Sequence, residues 1–195
     1  VARNCGLTLP PRRRPKVSAV LATKRPEGAD RILRYLAGLD TADYDLEAIV
    51  ITAFDPTVLT ATTAIEQLRA TVLEELPGET LGECLNRGAT VATGGFIAKV
   101  DDDDIYGPRY FDDLLLAADY SRADLVGKRC HYQYFEVGDQ TVLRYPGGEH
   151  RFTDFVCGST LLARAAVYEQ AQFPSKRVGE DTEFLQIGRA SCRER

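Results

Sequence analysis

Short uninterrupted apolar runs alternate along this chain with segments whose apolar residues recur every three or four positions. The run VSAVLA at 17–22 predicts a strand buried on both faces, ended by Thr23, Lys24, Arg25 and Pro26. Asp30 then opens a predicted helix through 39, with Ile32, Leu33, Leu36 and Leu39 on one face. LEAIVIT at 46–52 predicts a second strand, 57–69 a helix and 71–76 a further strand. Thr80 with Glu83 three residues on has capping-box spacing, so a helix is expected from there to about Thr93. FIAKV at 96–100 is the next strand. Four consecutive aspartates follow it directly, and Pro108 opens a predicted helix over 109–120. Beyond Leu125 the segments shorten: strands at 125–127, 130–136 and 141–145, an extended stretch at 155–162, a helix near 164–170, and a last helical turn opened by Gly179, Glu180 and Asp181.

Strands alternating with helices predict an α/β fold, Rossmann-like, with a mainly parallel sheet flanked by helices and a smaller mixed β portion after the aspartate cluster. In such sheets ligands lie beyond the carboxyl ends of the strands. The 23–26 loop and the four aspartates both occupy such ends. The composition, 44% apolar and 27% charged over 195 residues, is that of one ordinary globular domain. No apolar run approaches the ~20 residues a membrane span requires.

The ends of the chain change the picture. Residues 1–16 carry Arg3, Arg12, Arg13, Arg14 and Lys16 among three prolines and no acid, and are expected to be a basic linker. IGRASCRER at 187–195 resembles a translated sequencing adaptor, so natural sequence is expected to stop near Gln186 and the folded unit to be truncated there. Between these ends, residues 17–186 hold 16 basic against 28 acidic side chains, a net charge of −12 inside an overall −5. An acidic body argues against a nucleic-acid groove, which needs clustered Lys and Arg, and leaves a metal-dependent acidic site open. The arginines at 12–14 leave open a peripheral contact with an anionic membrane surface. The cysteines show no zinc spacing and no secretory signal is visible, so reduced thiols and a cytoplasmic location, at most at the cytoplasmic membrane face, are expected.

Two acidic groups carry the candidate chemistry. In extended chain Asp101 and Asp103 would share a face about 6.5–7 Å apart at Cα, a spacing suited to one hard divalent ion; a solvated helix N-terminus is the structural alternative. Glu180, Asp181 and Glu183 could supply a general base, or merely complement the start of a helix. Lys99, Lys128, Arg129 and Arg177 could add positive charge near a phosphate but are expected to be ordinary surface cations, and Tyr132, Tyr134, Phe135 and Tyr145 could stack on sugar rings but are expected mostly to pack a core.

Four stretches together resemble a glycosyltransferase family 2 domain of the GT-A fold: VSAVLATKRP, LGECLNRGATVATGGFIAKVDDDDIYGPRYFDDLL, VCGSTLLAR and FPSKRVGEDTEFL, spanning about 17–185. The resemblance implies an inverting hexosyltransferase that moves a sugar from a nucleotide-diphosphate sugar to an acceptor hydroxyl. It implies Asp181 as base with Glu180 supporting it, and Asp101 and Asp103 on Mn²⁺ or Mg²⁺, Asp103 being the main ligand. Thr23, Arg25, Asp55, Asn86, Asp101, Asp102 and Gly158 would line the donor. The sequence departs from the pattern at Arg25-Pro26 and at Phe54-Asp55-Pro56. A nucleotidyltransferase is the enzymatic alternative, although ATKRP lacks its usual glycines; a non-catalytic sugar- or partner-binding module is the other.

Overall fold

The computed structural model describes residues 14–192, with side chains as far as Gln186. The first thirteen linker residues therefore lie outside the described residues, as do the side chains of the adaptor-like segment. Fourteen elements are described within it. They run β1 (Lys16–Thr23), α1 (Pro26–Ala37), β2 (Asp45–Thr52), α2 (Thr62–Gln67), β3 (Thr71–Glu74), α3 (Leu81–Val91), β4 (Phe96–Val100) and α4 (Tyr110–Ser121). The second half holds β5 (Leu125–Val126), β6 (His131–Phe135), β7 (Gln140–Arg144), β8 (Leu162–Arg164), α5 (Ala165–Gln170) and α6 (Glu180–Cys192).

Six strands form one sheet in the order β3-β2-β1-β4-β8-β5, and β6 with β7 forms a separate antiparallel pair. β1 pairs in parallel with both β2 and β4, whereas β8 runs antiparallel to β4. Alternate residues of β1 feed two cores. Val17, Ala19 and Leu21 pack with Ile32, Leu33, Leu36, Phe111 and Leu114 on one face, and Val20 packs with Ile49, Leu85, Phe173 and Phe184 on the other. A strand buried on both faces reads as a continuous apolar run, which is why the VSAVLA segment was legible.

Differences from the expected elements have local causes. β1 starts at Lys16, inside the segment assigned to the linker, because its backbone pairs with Asp45 of β2 and the Asp45 amide donates to the Pro15 carbonyl at 2.9 Å; Lys16 also pairs with Glu47 at 2.6 Å. Helix α1 starts at Pro26, not Asp30: proline is pre-organised for a first helical turn. Asp30 sits buried inside α1 and accepts the amides of Thr60 and Ala61 at 3.0 and 2.9 Å, tying α1 to the loop before α2. The helix expected over 57–69 is divided into a 3₁₀ turn at Pro56–Val58 and α2. In the 155–162 stretch a 3₁₀ turn at Gly158–Thr160 precedes β8. The capping box is present, Thr80 accepting the amide of Glu83 and Glu83 that of Thr80.

The aromatics of the 130–145 hairpin are not core. Tyr132 and Tyr134 are 74% and 58% exposed, and Phe135 and Tyr145 are also exposed, because a two-stranded pair has no second layer over it. No helix among the described residues is long and apolar enough to cross a membrane. Cys84, Cys130 and Cys157 are free thiols.

Candidate functional site at the switch point of the sheet

The chain leaves β1 toward β2 and β3 on one side and returns to β4 on the other, so the strand order reverses between β1 and β4. Adjacent loops diverge at such a point and leave a crevice at the carboxyl edge. The end of β1 supplies Thr23 and Arg25 there, and the end of β4 supplies the four aspartates.

The aspartates do not continue as extended chain. The backbone turns at Asp102 and Asp103, immediately after β4, and each carboxylate acquires a different environment. The expected shared face of Asp101 and Asp103 is thereby replaced by a turn. Asp102 is 7% exposed and accepts Nε of Arg25 at 3.0 Å, a second Arg25 nitrogen, and the hydroxyl of Thr23. Burial alone would raise its carboxyl, but the bonds from Arg25 and Thr23 outweigh it and hold Asp102 below the ordinary carboxylate range. Arg31 donates to the Asp102 carbonyl. Asp103 is the open member: its side chain is 65% exposed and lies 3.0 Å from Arg25.

Asp101 faces the other way. Both of its oxygens accept from Nζ of Lys99, at 2.8 and 3.0 Å, and its amide donates to the Tyr106 hydroxyl at 2.8 Å. That hydroxyl donates to the Ser159 carbonyl at 3.1 Å, joining the aspartate turn to the Gly158–Thr160 turn. Lys99 is no surface cation: it is 4% exposed, on a strand covered on both faces. Burial opposes its charge, yet Asp101, Glu180 and Asp181 outweigh burial and raise it above the ordinary lysine value. Glu180 lies 3.8 Å from Lys99 and is itself 4% exposed, and burial raises its carboxyl, as it does that of Asp101.

Thus the second acidic motif arrives beside the first. Gly179, at φ +78°, turns the chain into α6, and Phe184 in the same helix stacks on Phe173 with centroids 4.3 Å apart. A left-handed φ is cheap for glycine, and the Phe184 anchor fixes which way the first turn of α6 points. Asp181 there lies against Gly158, where an added Cβ would be 1.5 Å from Asp181 Oδ2.

The remaining candidates are placed differently. Asp55 follows β2 at the same sheet edge and accepts the amide of Thr57 at 2.9 Å as the cap of the 3₁₀ turn. Asn86 lies on α3 with its amide in a reciprocal clamp, donating to the Phe173 carbonyl at 2.9 Å and accepting the Phe173 amide at 2.8 Å. Its observed role is to hold the loop before α6. Tyr106 and Ser159 join the site from within the family-like stretches, and Arg31 joins it without any motif of its own, through its bond to the Asp102 carbonyl. A cavity of about 1040 Å³ lies apart from this cluster, on the β5 side, among Tyr120, Val126, Tyr132, Phe155 and Phe184.

Solved structures share this architecture. The chain superposes on a crystal structure of S. aureus TarS residues 1–349 in complex with UDP-GlcNAc with a TM-score of 0.73 at 20% identity, covering 89% of this chain and 53% of that one. The fold is shared with TarS. A UDP complex of the same protein gives a TM-score of 0.72, again at 20% identity, with 89% of this chain and 54% of that one covered. The chain thus spans about half the length of the TarS 1–349 structures, and 33% of a longer TarS structure at a TM-score of 0.69. No family model and no curated protein matches the sequence.

Proposed function

We propose that this chain carries the catalytic core of an inverting, metal-dependent glycosyltransferase of family 2, moving a hexose from a nucleotide-diphosphate sugar to an acceptor hydroxyl. The observation that carries the reading is the meeting of two acidic motifs distant in sequence, the aspartate turn after β4 and the start of α6, at the switch point of the sheet. The fold shared with a protein solved with UDP-GlcNAc and UDP makes uridine-diphosphate sugars the first donor class to test.

Among the described residues no three His, Cys, Asp or Glu side chains are grouped to hold an ion. Magnesium, however, is usually held by one or two carboxylates together with substrate phosphates and water. The carboxylate of Asp103, paired with Arg25 but 65% exposed, fits a site of that kind, whereas Asp102 is buried against Arg25 and both oxygens of Asp101 accept from Lys99. Bound there, Mn²⁺ or Mg²⁺ supplies the positive charge that a departing diphosphate requires.

The protein groups divide the rest. Asp181 takes the proton of the acceptor hydroxyl as its oxygen forms the new bond to the anomeric carbon. The bond from that carbon to the diphosphate breaks on the opposite face, with the electron pair leaving on the phosphate oxygen, so configuration inverts through an oxocarbenium-like state. Glu180 and Lys99 brace Asp181 from behind, Arg25 offers half-exposed positive charge at the edge, and Thr23 and Asp55 stand on the nucleotide side. Gly158 leaves room beside the base.

The test incubates the full chain with a panel of UDP-sugars and Mn²⁺ and follows UDP release. Release that EDTA and Asp103→Ala both abolish is expected. Release from no donor, or release indifferent to both treatments, overturns the reading.

A further inference from the structure

Lysine is almost never fully buried unless paired, and Lys99 is buried between two carboxylates that belong to different parts of the fold. Its backbone is held in the middle of the sheet: it lies opposite Val20 of β1, and its amide donates to the Leu161 carbonyl at 2.9 Å. Its ammonium contacts both oxygens of Asp101 and reaches Glu180 Oε1 at 3.8 Å, with the Lys99 and Glu180 side chains each 5% exposed. Asp101 directly follows β4, and Glu180 starts the helix that bears Asp181.

Among the described residues, the other ion pair at that helix start is an exposed one. The pair between Lys176 and Glu183 is half open to solvent, 52% and 40% exposed, and exposed pairs of this kind contribute little. The Phe184 stack holds α6 from the apolar side but lies one turn further on. Without the ammonium, the partly buried carboxylate of Asp101 and the buried one of Glu180 would lose the cation they share and repel.

We propose that Lys99 is a positioning residue of the transfer reaction: its buried ammonium ties Asp101 at the end of β4 to Glu180 at the start of α6, and so sets where the Asp181 carboxylate stands over the donor edge. The inference rests on the transferase reading and adds to it a cation that belongs to the protein and is independent of any bound ion. Lys99 touches neither donor nor acceptor; it acts through the two carboxylates.

The experiment compares wild type, Lys99→Met, Glu180→Gln and the double variant, using the UDP-sugar that wild type turns over, with kcat expressed per UDP-binding site counted by calorimetry. A displacement near 1 Å at a reacting group costs on the order of 10²-fold in rate. Lys99→Met is therefore expected to lose about 10²-fold in kcat with donor KM changed less than about 3-fold, the split that marks loss of transition-state positioning rather than of donor binding. Glu180→Gln should show the same split, and the double variant should be little worse than either single one, because both cut one strut. If Lys99→Met does not fold, the split in Glu180→Gln decides. A kcat within about 3-fold of wild type in the folded single variants, or a loss confined to KM, overturns the positioning role while the transferase reading stands. A wild-type chain that releases UDP from no donor overturns the reading and the role together.

Discussion

Gly158 and Asp181 pack so closely that the glycine has no room for a side chain: a Cβ on Gly158 would lie 1.5 Å from Asp181 Oδ2, far inside any permitted approach. The turn before β8 and the start of α6 are thereby packed backbone against carboxylate. Gly158→Ala must displace Asp181, because the glycine belongs to a buried turn and the carboxylate sits on a helix end. Turnover of the wild-type donor is expected to fall on the order of 10²-fold, with circular dichroism unchanged. Turnover near wild type in a folded Gly158→Ala protein would show that Asp181 need not stand where it does.

Asp181→Asn keeps the shape of the side chain and removes its ability to take a proton. Transfer should drop by roughly 10²–10⁴-fold, while UDP binding, measured by calorimetry with Mn²⁺, stays close to wild type. Binding lost in step with activity would assign Asp181 to the donor instead.

Tyr106 is 9% exposed, and its hydroxyl bridges the Asp101 amide and the Ser159 carbonyl. Burial pushes the phenol well above its usual value, so it remains a neutral donor at any working pH. Tyr106→Phe leaves an amide and a carbonyl without partners, which costs about 1–3 kcal/mol. Urea unfolding should record that loss, and a difference below about 0.5 kcal/mol would mean that both groups find water or another partner.

Among the carboxylates held low in the fold, Glu47 contributes identifiably to the acid limb of stability. Burial by itself would raise the Glu47 carboxyl, but bonds from Lys16, Ser18 and Thr93 outweigh it and bring it down to about 2. A group with a depressed folded value contributes stability that is present above its unfolded value, ~4.5, and is lost as pH falls through the folded one. Glu47→Gln should therefore cost about 1–2 kcal/mol at neutral pH, after discount for partial solvent screening. The gap between variant and wild type should close between pH ~4.5 and ~2. A gap that persists unchanged into strong acid would point to lost packing rather than lost charge.

Legibility in the sequence followed the range of the interactions. Strand β4 was read residue for residue at 96–100, and the capping box at Thr80 and Glu83 was read as it stands, because both depend on neighbours a few positions away. The antiparallel setting of β8 beside β4 was not legible, since pairing across a sheet leaves no mark at fixed spacing. Lys99 was misread as a surface cation for a related reason. An isolated lysine in an apolar strand signals burial only when its partners are known, and one of them, Glu180, arrives from the far end of the chain. The hairpin aromatics erred the other way: alternation predicted a packed face, but nothing in the described fold covers β6 and β7.

By itself the sequence determined that this protein is an α/β domain with carboxylates at strand ends, because burial on both faces and strand-to-helix alternation are written in local hydrophobic pattern. It also marked both acidic motifs, since rows of like charge stand out in any chain. Tertiary structure alone decided what each carboxylate does. Asp102 became an anchor for Arg25, Asp103 the open oxygen donor, Asp101 and Glu180 the two ends of a strut through Lys99, and Asp181 the group lodged against Gly158. The physical reason is that a carboxylate's role depends on burial and on the cation it faces, and both are properties of the assembled sheet edge rather than of any stretch of chain.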